Sequence, residues 1–224
     1  YYIKAVGEAL DGKWATGHGR PRETPPVPPG WNWDLWLGPR EPRPYSPAYA
    51  PYNWRGWWAF GTGSIGDMAC HNIDPAVWAL KLEHPTRVEA TSAEIDDEVA
   101  SPCGAIYRYQ FGPRGDMPPV TLTWYDGGLR PETPKGIDPK DPKQRLGEGG
   151  NGILFLGDKG MITCPGWAGM PRLLPLSLHL EYKRPSKTLP RTKGHHADWV
   201  AACKGGKPAS GNFEYSARLT EIVL

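Results

Sequence analysis

Asp67 and His71 stand four residues apart in the stretch Gly61-Thr62-Gly63-Ser64-Ile65-Gly66-Asp67-Met68-Ala69-Cys70-His71. A helix places such a pair on one face, one turn from each other. A carboxylate beside an imidazole orients the ring and raises its proton affinity. An imidazole so held takes the proton from a substrate hydroxyl. The same spacing also occurs in ordinary surface and capping contacts, so spacing alone leaves both readings open. Asp74 adds a third carboxyl, although Asn72-Ile73-Asp74-Pro75 reads equally as a helix-end turn.

A second cluster lies just ahead of the Gly-rich entry: Asn53, Trp54, Arg55, Trp57 and Trp58. Aromatic faces stack on the C–H surfaces of sugars, and Asn or Arg hydrogen-bonds hydroxyls or a carboxylate. A Trp-rich core capped by an arginine is the competing reading. His195-His196, ahead of a helical run from Ala197, read as an N-terminal cap or as substrate contacts. No Cys/His/Asp spacing surrounds them, so no metal site is expected. Cys70, Cys103, Cys164 and Cys203 are far apart and form no CxxC pair, which points to thiols rather than zinc or a disulfide framework.

Gly61-x-Gly63-x-x-Gly66 matches the dinucleotide fingerprint in letters only. That fingerprint needs a preceding strand and a parallel βαβ unit, and an acidic residue ~20 positions on. Asn53-Trp54-Arg55-Gly56-Trp57-Trp58 is no such strand. Lys193-Gly194 and Lys204-Gly205-Gly206-Lys207 lack the residue order of a phosphate loop and read as solvated loops.

The elements that must carry these residues are punctuated throughout. The 224 residues include 26 Pro and 28 Gly, which excludes a mostly helical chain. The 11 Trp exclude disorder. Hydrophobic residues at 39% and charged residues at 22% fit a globular domain with a sizeable core. A net charge of +2, from 26 basic and 24 acidic residues without a basic stripe, gives no case for nucleic acid. No apolar run reaches the ~20 residues of a membrane helix.

Tyr1–Val6 reads as a first strand, with a short helix to Leu10 as the alternative, and Gly12–Gly30 as an extended Pro-rich loop. Three tryptophans within Trp31–Trp36 suggest a packed anchor. Asp67–Leu82 follows helical spacing and Pro75 should divide it. Arg87–Glu98, Gly104–Phe111 and Pro119–Tyr125 read as strands, and Asp126–Gly150 as a long loop of the kind that is usually mobile or functional. Ile153–Leu156 and Gly160–Cys164 form a hairpin around Gly157-Asp158-Lys159. Leu173–Tyr182 reads as a strand or extended run. Ala197–Cys203 and Phe213–Leu224 read as helices. Some five to eight strands, mostly adjacent in sequence, and about three to four helices imply an α+β fold: an open, mainly antiparallel sheet with helices packed on one face.

Several stretches together resemble one family. They are Trp33-Asp34-Leu35-Trp36-Leu37-Gly38-Pro39, Trp54-Arg55-Gly56-Trp57-Trp58, the Gly61–His71 segment, Leu122-Thr123-Trp124-Tyr125-Asp126-Gly127-Gly128 and Gly194-His195-His196-Ala197-Asp198-Trp199. The family is the Gfo/Idh/MocA oxidoreductases, and the resemblance is to their C-terminal domain over nearly the whole chain. It implies a sugar, inositol or related polyol as substrate and NAD or NADP as cofactor. It also implies a homo-oligomer formed through the sheet face. His71 would be the base on the hydroxyl being oxidised, with Asp67 orienting it or touching substrate. Asn53, Trp54, Arg55, Trp58, Asp74, His195 and His196 would contact substrate.

In that family a Rossmann domain comes first, binds the dinucleotide and carries a Glu-Lys-Pro motif. This sequence contains neither. The chain starts without Met and closes on Glu221-Ile222-Val223-Leu224 within an apolar run, so it is expected to be a fragment, inactive by itself, and its compartment is unreadable. An NAD-dependent glycosidase of the same architecture is one alternative. A carbohydrate-binding or assembly module without catalysis is the other.

Overall fold

The computed structural model describes residues 21–93, 99–102, 104–147 and 151–224. The expected Tyr1–Val6 strand, residues 12–20 of the Gly12–Gly30 loop, Cys103 and the acidic end of Arg87–Glu98 lie outside them. The first helix, α1, spans Trp33–Leu37. A 3-10 turn at Asn53–Gly56 follows, then α2 at Gly63–Asn72 and α3 at Asp74–Ala79. Strands β1 (Arg87–Ala93), β2 (Gly104–Phe111) and β3 (Val120–Tyr125) come next. After a long connection come β4 (Gly152–Gly157), β5 (Gly160–Pro165) and β6 (Arg172–Leu174), then α4 (Leu176–Glu181), α5 (His195–Cys203) and α6 (Phe213–Val223).

The α+β class and the antiparallel pairing hold. Among the described residues the strands form two three-stranded sheets, β1-β2-β3 and β4-β5-β6. Val88 pairs with Tyr109 and Tyr107 with Trp124 in the first, and Ile153 with Cys164 in the second. Helices α1 and α4, of five and six residues, are too short for periodicity to register. For that reason Leu173–Tyr182 is mostly not a strand. Pairing stops at Leu174, Pro175 removes a ladder donor, and Leu176 opens α4.

The main core lies where α2, α3 and α6 meet the first sheet. Ile65, Met68, Ala69, Val77, Leu82, Tyr109, Phe111, Trp124, Leu219 and Ile222 are all buried there. Pro75 divides the helical run as expected. It has no N–H for the carbonyl four residues back, so α2 ends at Asn72 and α3 restarts with Pro75 in its first turn. Tyr215 on α6 ties this junction down by donating its hydroxyl to the Asp74 carboxylate. Burial and the neighbouring Asp74 push the Tyr215 hydroxyl well above the usual tyrosine range. Tyr215→Phe is expected to lower stability by about 1–2 kcal/mol. A denaturant titration checks this, and an unchanged midpoint would contradict the contact.

The Trp31–Trp36 anchor is an aromatic cluster. Trp33 and Trp36 stack with ring centroids 4.7 Å apart, and Trp33 meets Tyr45 edge-on at 5.3 Å. The Arg43 guanidinium lies 4.9 Å from the Phe60 ring centre. The long 126–147 segment is fastened rather than loose. Gly147 donates to Thr163 Oγ1 at 2.9 Å, and Arg172 Nη2 donates to the Arg145 carbonyl at 2.6 Å.

Candidate functional site

Helix α2 turns Ile65, Met68, Ala69 and Asn72 into the core. The 100° step per residue then leaves Asp67 and His71 on the side towards solvent, Asp67 half-buried and His71 exposed. Entry to α2 needs its glycines for packing. A Cβ at Gly66 would fall 1.6 Å from Thr62 Oγ1, and one at Gly61 would fall 2.7 Å from the Arg55 carbonyl oxygen. The second contact brings the Asn53–Gly56 turn against the start of α2.

That approach sets the partner of Asp67. Arg55 Nε donates to Asp67 Oδ1 at 2.9 Å, with only 20% and 21% of the two side chains exposed. Arg55 is itself held from behind. Its Nη1 donates to the Tyr52 carbonyl at 2.8 Å, and its Cζ lies 4.1 Å from the Tyr52 ring centre and 4.5 Å from that of Trp54. The residue four positions away is therefore not the group that Asp67 bonds; an arginine twelve positions away is. Arg55→Lys keeps the charge but loses the planar stacking and the Nε donor. It is expected to cost about 1 kcal/mol of stability, read from thermal unfolding; no change would show that Asp67 holds its place without Arg55.

His71 has a different neighbour. Its ring lies 6.4 Å, centre to centre, from the indole of Trp167, tilted by 55°. Trp167 belongs to the turn Gly166–Ala168 that follows β5 and packs on α2. Trp167 (φ 58°) and Ala168 (φ 53°) are both left-handed, which costs about 1–2 kcal/mol for each residue bearing a Cβ. The turn is locked from below. A Cβ at Gly166 would come within 2.6 Å of Asn151 Nδ2, and Asn72 Nδ2 donates to Asn151 Oδ1. Asn72 and Asn151 are 3% and 2% exposed, so a buried carboxamide pair joins the end of α2 to the start of β4.

The other expected site residues fall in several places. Trp54 and Arg55 stand beside Asp67 as described. Trp58 is exposed, on a segment tied to Val99 by a backbone bond of 2.9 Å. Trp57 is core: it is buried and its Nε1 donates to the Ala48 carbonyl at 2.8 Å. Asn53 Oδ1 is buried without a hydrogen-bond partner. Asp74 faces Tyr215 in the α3–α6 junction. His195 and His196 lie inside the first turn of α5, not ahead of it, because Gly194 at φ 118° takes the cap position. Their rings are 4.1 Å apart and both are exposed. Cys70 donates weakly to the Asp67 carbonyl at 3.6 Å, and burial, then the charge of Asp67, push its thiol up, so it is a poor nucleophile.

Trp167 and Asn151 were not picked out from the sequence. The available signal was a tryptophan isolated in Cys164-Pro165-Gly166-Trp167-Ala168-Gly169, a Pro/Gly-rich turn where core packing does not call for one.

The described residues do not fit a dinucleotide. The Gly61–Gly66 stretch follows a 3-10 turn rather than a strand, its glycines are occupied by the chain itself, and both sheets are antiparallel. Among the described residues no group of three or more His, Cys, Asp or Glu side chains could hold a metal ion, and no helix is long and apolar enough to cross a membrane.

The molecule is thus an α+β domain whose helix α2 carries Asp67, braced by Arg55, and His71 one turn further on. Residues 6–114 match the family model described as oxidoreductase family, C-terminal alpha/beta domain. The stretch that carries Arg55, Asp67 and His71 is thus similar to the C-terminal domain of the Gfo/Idh/MocA oxidoreductase family. Trp167, His195 and His196 lie beyond the matched residues. No curated protein matches the chain significantly.

Proposed function

We propose that this chain is the substrate-binding and catalytic domain of an NAD(P)-dependent oxidoreductase acting on a sugar, inositol or related polyol. The observation that carries the reading is the placement of Asp67 and His71 on the solvent side of α2, with Asp67 fixed by Arg55, inside the segment that matches an oxidoreductase family. Such a reaction needs a hydroxyl to lose its proton as its carbon loses a hydride. The exposed imidazole of His71 is the group that takes the proton. Asp67, an acceptor held in place, binds a neighbouring hydroxyl and fixes the ring's orientation towards His71. Trp54 and Trp58 offer apolar faces nearby in sequence, and Asn53 supplies a polar group at the same turn.

The dinucleotide, when bound, supplies the hydride acceptor. Because the described residues do not fit it, we assign it to a separate domain preceding this one in the full-length protein. Copies associate through an exposed sheet face in this reading; Leu156 and Ile162 on the second sheet, 68% and 39% exposed, are apolar residues that such a contact would cover.

A screen of the full-length gene product tests the proposal by following absorbance of the reduced nicotinamide with sugars, inositols and sugar acids. Reduction with one of these classes is expected. Cleavage of an aryl glycoside without net reduction would replace the dehydrogenase by a glycosidase, and silence in both assays would leave a recognition module.

A further inference from the structure

A large exposed indole on a backbone that resists it needs a reason. Trp167 is 63% exposed, so core packing does not explain it. It sits at φ 58° and ψ 33°, where glycine is the favoured residue. The frame around it is rigid. Gly166 is pressed against Asn151, Gly169 would meet the Pro165 ring at 2.5 Å if it carried a Cβ, and Asn151 bonds Asn72, the residue after His71. Two left-handed residues persist there because buried packing fixes them, and their effect is to hold a bare aromatic face beside His71. Tyr52 and Trp54, reached through Arg55, serve the Asp67 end of the same helix face; Trp167 serves the His71 end.

We infer that Trp167 is the stacking platform of the substrate subsite and selects a six-membered-ring polyol, a pyranose or an inositol, over an open-chain one. The inference rests on the reading of Asp67 and His71 given above. A ring polyol presents a flat C–H face to an indole, and lying on it at ~3.5–4 Å it turns a rim hydroxyl towards the imidazole. An open-chain polyol has no such rigid face and loses more freedom on binding.

Saturation-transfer NMR on the full-length protein, with myo-inositol and methyl β-glucopyranoside as ring probes and sorbitol as the open-chain probe, tests it. The wild type is expected to saturate ring C–H protons and to bind sorbitol at least tenfold more weakly. Trp167→Gly suits the backbone and is expected to fold as stably as the wild type while ring binding weakens roughly tenfold. Trp167→Phe should restore most of it. His71→Ala should keep ring binding within about threefold while turnover is lost. Unchanged ring binding in Trp167→Gly, sorbitol bound as well as the ring probes, or no saturation of either ring probe would each overturn the platform. Failure of the catalytic reading looks different: His71→Ala would turn over normally while Trp167→Gly still lost ring binding.

Discussion

Replacing His71 with alanine in the full-length protein is expected to lower kcat by about 10²–10⁴-fold, with substrate affinity within about threefold of the wild type. The imidazole is exposed and carries no core packing, so its removal should leave the fold intact. Among the described residues its ring contact is the tilted approach to Trp167 at 6.4 Å. Steady-state kinetics and calorimetric titration separate the two effects. A loss confined to affinity would make His71 a recognition residue. A normal kcat would remove it from the chemistry altogether.

The largest stability effect is expected at Asp126, which seals the junction of β2 and β3. Its carboxylate accepts from the Ala105 backbone N–H at 2.7 Å and from Trp124 Nε1 at 3.0 Å. It is 5% exposed, and Trp124 is among the most deeply buried side chains. Asp126→Ala leaves two buried donors without an acceptor and opens a cavity beside Trp124. A loss of about 2–5 kcal/mol is expected by denaturant titration. Less than 1 kcal/mol would mean that water replaces the carboxylate.

The same residue sets a pH dependence. Burial raises the Asp126 carboxyl above its usual value of 3.8, and the two donated hydrogen bonds offset only part of that. A raised value means that the folded state holds the proton more tightly than the unfolded chain. Its contribution is therefore complete below pH 3.8 and declines as pH rises through the folded-state value. The stability gap between wild type and Asp126→Ala should narrow across that window. A gap that widens with pH would show the hydrogen bonds outweighing burial.

The parts of this molecule that were legible in the sequence are those governed by local rules. The i, i+4 relation of Asp67 and His71, the break at Pro75 and the hairpin around Asp158 each follow from backbone geometry within a few residues. The partner of Asp67 does not, because Arg55 lies twelve positions away and its segment packs closely on Gly61. Asp67 therefore braces its helix through Arg55 rather than through the nearby His71. Trp167 lies ninety-six positions beyond His71 by chain numbering, and the packing of its turn on α2, with the Asn72–Asn151 pair beneath, brings them together. Asp74 was legible as a carboxyl at a helix boundary, but its commitment to Tyr215 depends on where α6 packs. His195 and His196 read as a cap ahead of a helix from Ala197 or as substrate contacts; the helix starts two residues earlier, at His195, with Gly194 at positive φ in the cap position.

The central claim is that His71 takes a hydroxyl proton while the same carbon gives up a hydride. It is tested most directly by incubating the full-length protein with oxidised dinucleotide and a ring polyol deuterated at its carbinol carbons, then reading the reduced dinucleotide by mass spectrometry. Deuterium on the nicotinamide, formed by the wild type and not by His71→Ala, is the predicted result. Oxidised product without deuterium on the nicotinamide, or equal labelling by the variant, would contradict it.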